Sequence, residues 1–182
     1  MSFEMKKNLK LINAVVLAIV TLLYFGARNL VFTNDEKQAA NEFFLITKVV
    51  DGDTINLSDG RKVRLIGVDT PEIHYSEKLL RDSKKRGQSI KTIQTLGRKA
   101  SDFAKKLYAG KRVRLEYDVE RKDRYGRTLA YVYLEDGLFV NAEIIKQGYA
   151  QVMTVPPNVK FADHFLKLQK EAREAKRGLW KD

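Results

Sequence analysis

VVDGDTINLSDGRKVRLIGVDTPE, from Val49 to Glu72, places two acidic clusters at the ends of alternating apolar and polar residues, with Arg64 between them. Asp51-Gly52 and Asp59-Gly60 are hairpin-type turn pairs, so the stretch reads as strand, turn, strand, turn, strand. The strands are FFLITKVV (43–50), TINLS (54–58) and RKVRLIGV (61–68), a three-strand meander. Such a meander brings Asp51, Asp53, Arg64, Asp69 and Glu72 within one hairpin's reach of each other.

Downstream, LGRKASDFAKKLYAG repeats Leu96, Ala100, Phe103, Ala104 and Leu107 at helical spacing, and Gly110 stops the helix. KRVRLEYDV and TLAYVYLE alternate Val113, Leu115, Tyr117 and Leu129, Tyr131, Tyr133, which adds a fourth and a fifth strand. FVNAEIIKQ before Gly148 predicts a short helix, and 159–176 predicts a last one ahead of the ending RGLW. Five short strands with about three flanking helices predict a β-rich α+β domain, a partly open five-stranded barrel of the OB type.

Upstream, Lys6, Lys7 and Lys10 precede seventeen uncharged residues, LINAVVLAIVTLLYFGA, which end at Arg28. As a helix this run spans ~26 Å, just under the ~30 Å hydrocarbon core, and Lys10 and Arg28 can snorkel to its edges. The layout is that of a signal peptide or signal anchor, with the lysine-flanked end cytoplasmic and the rest of the chain outside. Tyr24 and Phe25 are too bulky for a small-x-small cleavage site before Gly26 and Ala27, which favours an uncleaved anchor over secretion. The expected organisation is therefore a short cytoplasmic terminus at 1–10, an anchor at 11–27, a polar linker at 28–41 and the barrel domain at 42–182.

Lysines and arginines number 34 against 23 aspartates and glutamates, a formal net charge of +11 that attracts polyanions, either nucleic acid or anionic lipid. The absence of cysteine excludes disulfides and thiolate zinc sites. His74 and His164 are the only histidines, so imidazole-rich metal chemistry has little to work with. Carboxylates suit a hard cation such as calcium or magnesium, and the run DRYGR, Asp123 to Arg127, supplies a second arginine. A cation with two arginines is what phosphodiester cleavage requires around a phosphorus shielded by negative oxygens. Taken singly, each residue also has an ordinary reading: turn chemistry for Asp51 and Asp53, a strand end for Asp69 and Glu72, a solvent-facing strand position for Arg64, a loop cation for Arg127.

Joined together, VVDGDT, VRLIGVDTPE and DRYGRTLAYVY make the chain resemble the thermonuclease family, the staphylococcal nuclease-like domains, from about Phe43 to Trp180. The resemblance implies an OB barrel and calcium-dependent hydrolysis of DNA and RNA. By position it implies Asp53 and Asp69 as calcium carboxylates and Thr70 as the residue lending a carbonyl. Arg64 and Arg127 correspond to the phosphate clamps, and Glu72 to the general base or water-orienting group. The expected partners are nucleic acid, with Tyr125 as a site-lining aromatic, and the membrane through the N-terminal helix, for a monomeric domain. A non-catalytic nucleic-acid-binding OB module is the competing reading.

Two stretches depart from the family pattern. Between Glu72 and Leu96 lies a basic insert, HYSEKLLRDSKKRGQSIKT, and from Lys78 to Arg112 twelve lysines or arginines face only Asp82 and Asp102. The insert reads either as a phosphate-tracking surface or as a solvated loop. Where compact relatives present tyrosines to the nucleotide, this chain has QVMTVPPN, Gln151 to Asn158. Trp180, in the ending GLW, reads as a packing residue.

Overall fold

The computed structural model describes residues 42–181, together with Val16, Val20 and Thr21. The expected anchor at 11–27 lies outside the described residues apart from those three, and among the described residues no helix is long and apolar enough to cross a membrane. Glu42–Asp182 forms a compact unit.

Five strands close a barrel: β1 (Phe44–Asp51), β2 (Thr54–Leu57), β3 (Lys62–Leu65), β5 (Arg112–Glu116) and β6 (Thr128–Leu134), in the order β1-β2-β3-β6-β5. The expectation of a partly open barrel is corrected here. β1 pairs antiparallel with both β2 and β5, and two register shifts along it supply the bend that closure needs. Val63, Val113 and Val132, fully buried, fill the interior as the alternation predicts. β3 and β6 run parallel, with Val63 opposite Thr128 and Arg64 opposite Leu129. That pairing brings the end of DRYGR beside Arg64.

The expected third strand divides in two. Gly67 takes φ +77°, and a Cβ there would meet Phe165 Cε2 at 2.5 Å, so glycine alone fits both the dihedral and the space. Beyond it β4 (Gly67–Asp69) leaves the barrel and pairs with β7 (Gln151–Met153), a strand formed by the departing QVMTVPPN segment. Asn141 holds this branch point. Fully buried, it accepts from Val132 N (2.9 Å) and donates to Ile66 O (2.9 Å). Asn141→Ala leaves both backbone groups unsatisfied and is expected to cost about 3 kcal/mol, read as a lower urea midpoint at unchanged m-value.

Four α-helices stand among the described residues, against about three expected. The extra one, α1 (Glu77–Arg86), lies in the basic insert, with Ser76 capping Leu79 N (3.1 Å) and Gly87 in the left-handed conformation at its end. Leu79, fully buried, anchors it. α2 (Ile90–Tyr108) begins six residues before the expected Leu96. Its buried face is Ile93, Gly97, Ala100, Ser101, Ala104 and Tyr108, so the stripe is rotated from the predicted one, and Phe103 and Leu107 sit at its margin. α3 (Val140–Lys146) and α4 (Ala162–Glu174) fall in the expected segments, and Gly178–Trp180 forms a 3₁₀ turn.

Candidate active site

The turn after β1, the end of β4 and the loop before β6 meet at one end of the barrel around a cavity of about 390 Å³. Its walls carry Asp51, Asp53, Asp69 and Glu72 as carboxylates and Arg64, Arg81, Arg124 and Arg127 as cations, with Thr70, Tyr125 and Met153 between them. Every site residue expected from the sequence, Asp53, Arg64, Asp69, Thr70, Glu72, Tyr125 and Arg127, lines this one cavity.

Asp53 is the organising residue. It is 2% exposed, and its Oδ2 accepts from both the Thr70 amide and the Thr70 hydroxyl at 2.9 Å, which ties the β1–β2 turn to the end of β4. Its Oδ1 accepts from the Thr54 hydroxyl (3.1 Å) and meets the Arg64 guanidinium. Arg64 also reaches Asp69 Oδ1 at 3.3 Å. Thus Arg64, expected either as a clamp or as a solvent-facing strand residue, is largely buried between two carboxylates. Burial pushes its guanidinium below its ordinary value; Asp69 and Asp51 pull it back up, and Arg127 lowers it further. Asp51 Oδ1 accepts from Asp53 N (3.2 Å), a turn contact that leaves it beside the site.

Arg127 is set by Asp123, whose role sequence reading missed. Asp123 Oδ1 accepts from the Tyr125 and Arg127 amides (both 2.9 Å), and Oδ2 accepts from Arg127 Nε (2.7 Å). Nε is the atom engaged, and among the described residues no hydrogen bond or ion pair to the Nη groups is found, so they remain for a phosphate. The signal was present in DRYGR, since an Asp followed three residues later by Gly is a self-bonding turn. Tyr125 is 67% exposed; the Arg124 and Arg127 guanidiniums lie 4.8 and 5.5 Å from its ring centre, and Arg124 donates to its hydroxyl. Arg81 and Arg124 were also missed as lining residues, because no periodic signal marks a cation that faces a cavity.

Burial pushes the Asp123 carboxyl up, but the Arg127 side chain and the two amides outweigh it and hold the group below its ordinary value. A depressed folded-state value means that the stabilisation is fully present above the unfolded value of ~3.9 and disappears as pH falls through the folded one. The stability gap between the native chain and Asp123→Asn is therefore expected to be constant above pH ~5 and to shrink below pH ~4, measured by urea unfolding across that range.

The donor set fits a hard divalent cation, because the cavity offers carboxylate oxygens and neither histidine lines it. With Arg64 seated between Asp53 and Asp69, no group of three or more acidic or histidine residues stands ready to hold an ion among the described residues.

The profile described as staphylococcal nuclease homologue matches residues 62–182, which include Arg64, Asp69, Glu72 and Arg127. The chain belongs to this staphylococcal nuclease family. It is 38% identical to the thermonuclease of Staphylococcus intermedius over 176 residues, 93% of this chain and 94% of that one. To the thermonuclease of Staphylococcus hyicus it is 37% identical over 184 residues, covering 97% and 99%. Endonuclease YncB of Bacillus subtilis is 37% identical over 140 residues, 74% of this chain and 60% of that one. Within this staphylococcal nuclease homologue, Met153 on β7 lines the cavity.

Proposed function

We propose that this protein is a calcium-dependent nuclease that cleaves DNA, RNA or both outside the cytoplasmic membrane, tethered by residues 11–27 and acting as a monomer. Family membership makes it a nuclease that hydrolyses phosphodiester bonds. The observation that carries the catalytic and cation reading is the convergence of Arg64, Arg127 and four carboxylates on one cavity, whereas the tether rests on the uncharged run 11–27 behind Lys6, Lys7 and Lys10.

Asp53, Asp69 and the Thr70 carbonyl would hold the calcium ion, which when bound supplies positive charge to the phosphate and lowers the cost of ionising water. The chain's own groups do the rest. Arg64 and Arg127 present planar donor forks to the non-bridging oxygens and oppose the charge gained as phosphorus becomes five-coordinate. Glu72 accepts the proton of the attacking water, or orients that water, so that one P–O bond forms as the ester P–O bond breaks and the departing oxygen takes a proton from solvent. Tyr125 offers its exposed ring to the sugar or base beside the phosphate.

The test is a cleavage assay of the full-length protein on single-stranded and duplex DNA and RNA with calcium, magnesium or chelator. Digestion in calcium and none in chelator is the expected result. Digestion indifferent to chelator would refute the metal dependence, and salt-sensitive binding without cleavage would make the chain a binding module.

A further inference from the structure

We propose that helix α1 is a strand-binding arm: Arg81 takes a phosphate adjoining the scissile one, and Lys84 and Lys85 take the backbone beyond it, so that the substrate is a polynucleotide engaged over several phosphates. This rests on the reading of the cavity as the phosphodiester site. Arg81 lies in the basic insert, yet it lines the same cavity as Glu72 and Arg127. It is exposed, and no ion pair to it is found among the described residues. Its charge is therefore committed to no carboxylate among them.

Arg81, Lys84 and Lys85 stand at i, i+3 and i+4 of one helix, so they share a face. The rise from Arg81 to Lys85 is ~6 Å, a step suited to successive phosphates of an extended single strand. Lys84 and Lys85 are both exposed, whereas Asp82 is half-buried with its Oδ2 out of solvent. The outer face is therefore a run of cations that begins at the cavity wall.

Leu79, fully buried, anchors the inner face of the arm. The helix that follows, α2, is seated against the site: Gln94 Nε2 donates to Ile73 O (3.0 Å), and Gly97 rests against the carbonyls of Pro71 and Glu72. A row of cations on one helix face, leading from the cavity, matches a polyanion that threads it. A lipid headgroup layer is flat and would not require Arg81 in the cavity wall.

Two full-length variants test this, Arg81→Ala combined with Lys84→Ala and Lys85→Ala, and the charge reversal Lys84→Glu with Lys85→Glu. Fluorescence anisotropy with a labelled 12-nucleotide strand in chelator reads binding without cleavage. Kinetics in calcium on a 12-mer and on a dinucleotide read KM and kcat. Both variants are expected to weaken 12-mer binding about tenfold or more and to flatten the salt dependence by roughly 0.7 in log–log slope for each phosphate that the arm no longer neutralises. The KM increase should be several times larger for the 12-mer than for the dinucleotide.

Unchanged affinity and salt slope would overturn the proposal, as would an equal fall in kcat on both substrates, which would place Arg81 in the chemistry instead. Loss of binding to vesicles containing anionic lipid with 12-mer binding intact would also overturn it, in favour of a membrane-facing helix. Native protein that binds the 12-mer through α1 but cleaves nothing in calcium would refute the enzymatic reading and leave the arm standing.

Discussion

Arg127→Ala is expected to lower kcat on DNA about 10²- to 10³-fold, the size typical of losing one preorganised donor to a developing charge. Arg127 sits one residue before β6, whose parallel register with β3 sets it beside Arg64 at the cavity. Asp123 grips Nε and the local amides, so the guanidinium is oriented before substrate arrives. Preorganisation of this kind acts on the transition state more than on the ground state, so KM should change far less than kcat. Stability should fall by no more than about 1 kcal/mol, because the Arg127–Asp123 pair is partly exposed, with the arginine side chain 28% accessible. Arg127→Lys should recover only part of the rate, since an ammonium cannot supply two parallel donors to one phosphate. Steady-state kinetics with thermal unfolding of the same samples decide the matter; kcat within threefold of the native value would remove Arg127 from the chemistry.

Gly97→Val should damage activity and stability together, from a position that touches no substrate. Gly97 lies in the middle of α2, where glycine costs about 1 kcal/mol relative to alanine. A Cβ at this position would lie 2.6 Å from Pro71 O and 2.9 Å from Glu72 O. Both contacts are with backbone, so no side chain can swing aside. Either α2 lifts away or the Pro71–Glu72 segment moves into the cavity. Overpacking of this kind costs about 1–3 kcal/mol, and a ~1 Å displacement of a positioned group costs about 10²-fold in rate. Urea unfolding and kcat, the latter measured well below the melting transition, should both shift; native activity in a destabilised variant would show that Glu72 tolerates displacement.

How much of this was legible in the chain depended on range. The alternation of Val63 and Leu65, of Val113 and Leu115, and of Tyr131 and Tyr133 marks strands because strand period is a local property. Gly60 at φ +86° and Gly148 at φ +77° stand where turn and helix-stop signals placed them. Helix α1 was hidden because EKLLRDSKKR is too polar for a clear apolar stripe, and among its described side chains Leu79 alone is fully buried. The break at Gly67 was also illegible, since RKVRLIGV reads as one strand until Phe165, nearly a hundred residues later, packs against it.

By itself the sequence determined the strand-rich class, the acidic and arginine residue set, and, through DRYGR and VDTPE, the family. Only the tertiary structure decided that the barrel closes, that β3 and β6 run parallel, and that Arg64 lies buried between Asp53 and Asp69. It alone revealed Arg81 as a cation in the cavity wall, and it showed the local Asp123 turn gripping Arg127 Nε. The physical reason is that hydrophobic period and turn chemistry act over a few residues, whereas the cavity walls are brought together by strand registers that join segments more than sixty residues apart, β3 with β6 and β4 with β7.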